Sequence, residues 1–176
     1  MEDPRYPIGP FRYDGKADAQ LREQRVAEIA SAPGALRAAV TGLAATQLDT
    51  PYRERGWTVR QVVHHLPDSH LNAYTRMKLA LTEPEPVIKP YDEGRWAELP
   101  DVRLTPVETS LTLLECLHRR WVLLLRELGA ADFERRFRHP EHDRTIGLDE
   151  ALALYAWHGR HHVAQITSLR NRMGWV

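Results

Sequence analysis

Nine histidines occur in this 176-residue chain, and six of them fall in two short stretches, VRQVVHHLPDSH and YAWHGRHHVAQI. Imidazole is the commonest metal-ligating side chain and the one whose proton affinity lies nearest neutrality, so such clustering points first to an ion site. In the second stretch His158 and His162 stand four residues apart. On a helix they occupy successive turns of one face, with Cβ atoms about 5–6 Å apart. Two imidazoles so placed can reach one ion at about 2.0–2.1 Å each. Advancing about 100° per residue puts both on the stripe of Ala151, Tyr155, Ile166 and Leu169, which should face a core. His161 falls at the edge of that stripe. No glutamate follows His158 as it would in a zinc protease helix, so the pair alone also suits core histidines satisfied by hydrogen bonds. A third ligand would decide.

The first stretch offers His64, His65 and His70. The apolar stripe Val59, Val62, Leu66, Ala73 and Met77 contains His70, has His65 at its margin and leaves His64 facing solvent. Periodicity therefore leaves His65 and His70 both open. Pro67 removes a backbone hydrogen bond beside them and predicts a kink.

These stretches need helices to hold them. Pro4, Pro7 and Pro10 predict an extended arm over residues 1–13. A helical stretch follows from about Gly15 to Leu43, broken or offset at Pro33. Thr58 and Gln61 form a capping-box pattern, with Trp57 and Val62 as its hydrophobic staple, opening a helix to about Leu81. The segment TEPEPVIKPYDEGRWAELPDVR carries four prolines and reads as a long irregular crossing. Within it Tyr91 and Trp96 either cover the site or pin the crossing to the core. Thr105, Pro106 and Glu108 predict the start of a third helix whose stripe runs Leu111, Leu114, His118, Trp121, Leu125, Leu128, closed by Gly129. Cys116 reads as a small core residue within it. A second connection leads to a fourth helix with Asp149 and Glu150 in its first turn and an end near Met173, where Gly174 can cap. That connection contains HPEHD, whose His139, Glu141, His142 and Asp143 either line the site or form a plain loop. No stretch alternates long enough to demand a sheet. The expectation is an all-α, four-helix bundle with a long crossover connection, in one domain spanning residues 1–176.

Composition narrows the function. Lys+Arg and Asp+Glu both number 24, giving no net charge, which argues against a nucleic-acid or membrane-surface partner. The excess of Arg over Lys reads as coding bias. One cysteine cannot make an internal disulfide, and no apolar run is long enough to span a bilayer. A cytoplasmic protein acting on a small-molecule substrate is expected.

The segments RYPIGPF, GWTVRQVVHHLPDSHLNAYTRMKLALTE, KPYDEGRWAEL, FRHPEH and LDEALALYAWHGRHHVAQITSLRNRMGW together resemble the YfiT group of metal-dependent hydrolases in the DinB/YfiT-like superfamily, over most of the chain. The resemblance implies one ligand histidine eight residues after Trp57 and two more in the last helix, hence His65, His158 and His162. Pro67 departs from the small helix-former the pattern leads one to expect. The resemblance also implies one divalent ion per subunit, zinc or nickel, a homodimer, and either hydrolysis or, as in related bacillithiol-type enzymes, thiol S-transfer. Three neutral imidazoles leave ligand positions open, as catalytic zinc sites do, and serve either reaction. Asp68, three residues after His65, is the candidate general base or ring-orienting group; its plain alternative is a surface carboxylate pairing with Asn72 or Arg60. A non-catalytic, metal-stabilised binding module is the third possibility.

Overall fold

In the computed structural model, residues 3–175 are described. The elements are α1 (Ala19–Val40), α2 (Ala45–Leu48), α3 (Val59–Thr82), α4 (Glu93–Trp96), α5 (Pro100–Leu104), α6 (Val107–Arg126), α7 (Ala130–Phe133), β1 (Arg136–His139), β2 (Arg144–Gly147) and α8 (Leu148–Met173). Four long helices, α1, α3, α6 and α8, make the expected bundle. Among the described residues, no helix is long and apolar enough to cross a membrane.

The helix ends follow local chemistry. Asp18 accepts a hydrogen bond from the Leu21 amide at 2.8 Å, so α1 starts at Ala19 rather than near Gly15. The capping box of α3 is complete: Thr58 Oγ1 accepts from the Gln61 amide at 3.1 Å, and Gln61 Oε1 accepts from the Thr58 amide at 2.9 Å. Gly174 closes α8 in the left-handed conformation at φ 65°. Two boundaries differ from expectation. Pro106 itself occupies the cap of α6, which ends at Arg126, and Gly129 caps the short α7 instead. Neither internal proline ends its helix: α1 continues through Pro33 and α3 through Pro67.

The second connection is not a plain loop. Its strands β1 and β2 form an antiparallel hairpin in which Phe137 pairs with Ile146 and His139 with Arg144. Phe137 and His139 point inward while Arg136 and Arg138 stay exposed. Four alternating residues are too few to register as a strand by period alone. Backbone bonds from Ile88 to Arg138 and from Arg138 to Pro86 tie the long crossing to this hairpin.

Helix α1 packs against α6 and α8, and α3 packs against the same two. The successive helices α1 and α3 therefore lie across the bundle diagonal, as do α6 and α8, which is why long connections are needed. The apolar core falls into two clusters. One gathers Ile29, Met77, Trp121, Leu152 and their neighbours; the other gathers Leu36, Leu66, Leu114, Ile166 and theirs. Along every long helix the two clusters are separated by a few residues, and on α3, α6 and α8 histidines fall in the interval: His70, His118, and His158, His161 and His162; His65 lies at its edge, beside Leu66. Cys116, expected in the core, is exposed, because it lies two residues from the buried Leu114 and so on the far side of α6.

Gly159 sits where α8 comes closest to α1. A Cβ built there would lie 3.0 Å from Ala32 Cβ and 3.7 Å from His70 Cε1. Gly159→Leu is expected to wedge α8 from α1 and destabilise the protein by about 1–3 kcal/mol, seen as a lower urea midpoint.

Candidate metal centre

His65 comes from the second turn of α3, and His158 and His162 from successive turns of α8. One ring nitrogen from each lies within 4.8 Å of the other two. His158 Nε2 stands 3.4 Å from His65 Nε2 and 3.2 Å from His162 Nε2. Two nitrogens on one tetrahedral ion at about 2.0–2.1 Å would be about 3.3–3.4 Å apart, so the spacing of His158 from each of the other two fits a shared ion.

Protonation agrees with this fit. Burial lowers the pKa of His65 to about 4. It drives those of His158 and His162 well below the usual imidazole value, helped by the neighbouring histidines. All three rings are therefore neutral at pH 7, as ligands must be. The tautomer of His162 follows from its partner. Gln165 Nε2 donates to the Arg5 carbonyl at 3.3 Å and faces His161 Nε2 at 3.0 Å, so its Oε1 is left to accept from His162 Nδ1 at 2.8 Å. With its proton on Nδ1, His162 presents a bare Nε2 lone pair to the cluster. Trp57, expected only as a staple, also packs its ring 4.7 Å from that of His65.

The cluster opens on a cavity of about 750 Å³. The N-terminal arm walls it through Tyr6 and Phe11, and is held there by the Gln165 bond and by Trp157 Nε1 donating to the Gly9 carbonyl at 3.2 Å. Tyr91 lines the cavity, with its pKa pushed up to about 12 by burial, and Trp96 backs it at 4.5 Å rather than facing the cavity. His139, Glu141 and His142 line the opposite side, the two imidazoles packed 4.3 Å apart, whereas Asp143 turns away to pair with Arg138 at 2.9 Å.

The other three histidines of the two stretches are outside the cluster, although His161 lines the same cavity. His64, expected to face solvent, is buried: α6 and α5 cover that side of α3, and its Nδ1 bonds Ser110 Oγ at 2.7 Å. His70 is fully buried and meets His158 at the opposite ring nitrogen, Nδ1, at 3.0 Å. His161 is buried and stacks on Trp157 at 4.3 Å. Asp68 is not among the residues lining the cavity. Burial and the nearby Asp101 charge raise its pKa to about 6, and Asn72 bonds its backbone carbonyl rather than its carboxylate. Sequence reasoning missed Gln165, the arm's carbonyls and the His70 contact, because each depends on a partner distant in the chain.

A four-helix bundle carrying a three-histidine cluster at the floor of a cavity defines a class of helical metal-site proteins. The family description "DinB superfamily" matches residues 28–166, and the chain belongs to that family. It is similar over 98% of its length to the structure of YfiT from Bacillus subtilis, with 99% of that chain covered, a TM-score of 0.96 and 47% identity. That protein is described as a probable metal-dependent hydrolase with an unusual four-helix bundle topology. Proteins of Bacillus mycoides and Bacillus thuringiensis, each 55% identical over 99% of this chain and the whole of their own length, bear a corresponding name.

Asp68 gives a pH-dependent test of its surroundings. Its folded-state pKa, about 6, lies above the ordinary 3.8, so stability falls as pH rises from about 4 through 6 while the unfolded chain ionises first. Asp68→Asn is expected to raise the melting temperature at pH 7 and to lose that advantage near pH 4 in thermal unfolding followed by circular dichroism.

Proposed function

We propose that this protein is a metal-dependent hydrolase of small molecules, with one divalent ion held by Nε2 of His65, His158 and His162. The observation that carries the reading is the convergence of three neutral imidazoles beside an accessible cavity, with His158 Nε2 3.4 Å from His65 Nε2 and 3.2 Å from His162 Nε2 and all three ligand atoms within 4.8 Å of one another. Such an ion lowers the pKa of bound water toward ~7 and polarises a carbonyl, and three protein ligands leave it room to do so. An all-imidazole set suits zinc first and nickel second. The chain's own residues bind and orient: Trp57 shields His65, Gln165 orients His162, and the arm and crossing enclose the substrate.

The lining also favours a substrate class. Five arginines (Arg5, Arg53, Arg55, Arg76, Arg144) line the cavity against three glutamates (Glu93, Glu141, Glu150), with Arg5 paired to Asp3 and Arg144 to Glu150, in a chain with no net charge. Because the ligands are neutral, the ion's own charge adds to this excess, which favours an acidic substrate. A cavity of about 750 Å³ is also large enough for a polar thiol carrier beside an electrophile, and that observation supports thiol S-transfer as the second reading.

Elemental analysis of protein loaded with zinc and then desalted is expected to give about one ion per chain. His158→Ala should lose most of it and His64→Ala should keep it; equal loss from both, with helical circular dichroism intact, would refute the ligand assignment. The loaded protein is expected to cleave an ester bearing a carboxylate faster than its neutral isostere. Metal-dependent conjugation of a thiol to an electrophile, with no hydrolysis across esters and amides, would replace the first reading by the second.

A further inference from the structure

A chain of hydrogen bonds begins at a helical proline and ends at the candidate ligand His158. Because residue 33 is proline, it has no N–H to give the Ile29 carbonyl four residues earlier in α1. His118 of α6 takes that place, with its Nδ1 2.7 Å from the Ile29 oxygen. A carbonyl only accepts, so the His118 proton is on Nδ1 and its Nε2 is a bare acceptor. That nitrogen lies 2.7 Å from His70 Nδ1, which must therefore donate. His70 Nε2 is then the acceptor for His158 Nδ1 at 3.0 Å. Each ring passes the same choice to the next, and the last consequence is that His158 carries its proton on Nδ1 and leaves Nε2 bare toward His65 and His162.

The rings cannot easily turn out of this order. His70 is fully buried, stacked on His118 at 4.9 Å and met edge-on by Trp121 at 5.8 Å and Tyr155 at 5.4 Å. His118 is 2% exposed, so no solvent is at hand to substitute for a lost partner. Burial lowers the pKa of His118 to about 4, so that ring is neutral and can donate on one nitrogen and accept on the other.

We infer that Pro33, Ile29, His118 and His70 form a positioning relay that presets His158 as an Nε2 metal ligand. His118 and His70 touch neither ion nor substrate; they act through His158, and the inference rests on the reading of His158 as a ligand. The relay explains why a proline is accommodated inside α1 and why two histidines are placed where the bundle could hold apolar side chains. His158 and His162 are thereby matched: His70 fixes one ring from behind as Gln165 fixes the other, and two bare Nε2 atoms 3.2 Å apart have no proton to share and need a cation between them.

The test has two readouts. In the metal-free wild-type protein, nitrogen-15 NMR of the imidazoles is expected to show His118, His70 and His158 all protonated on Nδ1. Zinc affinity, measured by competition with a chromophoric chelator, is expected to fall about 10- to 100-fold in His118→Phe. It should remain close to wild type in His118→Gln, whose amide can both donate to Ile29 and accept from His70. An Nε2-protonated His70 or His158 in the wild type, or equal zinc affinity in the Phe and Gln variants, would overturn the relay. Should the Phe variant not fold, the wild-type tautomers decide alone. Zinc binding by the wild type that is indifferent to His118 removes the relay only, whereas a wild type that binds no zinc removes the ligand set with it.

Discussion

Burial strips water from both ring nitrogens of an imidazole, and each one left without a partner costs about 1–3 kcal/mol. This chain buries His64, His65, His70, His118, His139, His161 and His162, with the half-buried His158 among them. Five of these eight, His65, His70, His118, His158 and His162, belong to one connected layer between two apolar clusters. The bundle is thus two small cores joined by a polar floor. Every long helix serves that floor: α3 and α8 supply the cluster, α6 supplies His118, and α1 supplies a backbone carbonyl. The diagonal placement of α1 against α3 follows the same need, since it lets α6 and α8 each contact both.

The helix chemistry that placed these residues was legible in the sequence to different degrees. The capping box at Thr58, the acidic first turn and glycine end of α8, and the His158–His162 face could all be read from spacing, because each is decided within one or two turns. The buried state of His64 could not, because an apolar stripe predicts one buried face and α3 is covered on a second side by α5. Cys116 could have been read as exposed, since about 200° of helix separates it from Leu114. The hairpin was invisible because its strands are four residues long and are held partly by bonds to the crossing.

A proline in a helical pattern predicts a break, because the ring removes a donor and crowds the previous turn. At Pro33 α1 nevertheless continues, and the orphaned Ile29 carbonyl finds a donor on another helix. The local rule correctly identified an unsatisfied group; only the fold could show what satisfied it. The choice between His65 and His70 was undecidable from periodicity for a related reason. Both are buried on the same helix and both approach His158, and they differ only in which of its two nitrogens they face.

That difference carries the chemistry. His65 meets His158 on the cavity side, where the ring nitrogens of three histidines converge, while His70 meets it from the core side as part of a complete hydrogen-bond chain. A purely structural histidine layer would be expected to complete its hydrogen bonds on both sides. Here the core side is complete, whereas on the cavity side the ring nitrogens of His65, His158 and His162 gather within 4.8 Å of one another under an opening lined by five arginines and three glutamates. Such an arrangement is stable with a cation at the convergence point and an anion or a polarised oxygen above it. The same desolvation that keeps the rings neutral strengthens any charge interaction made at that point, so burial of the ligands and reactivity at the cavity floor have one physical cause.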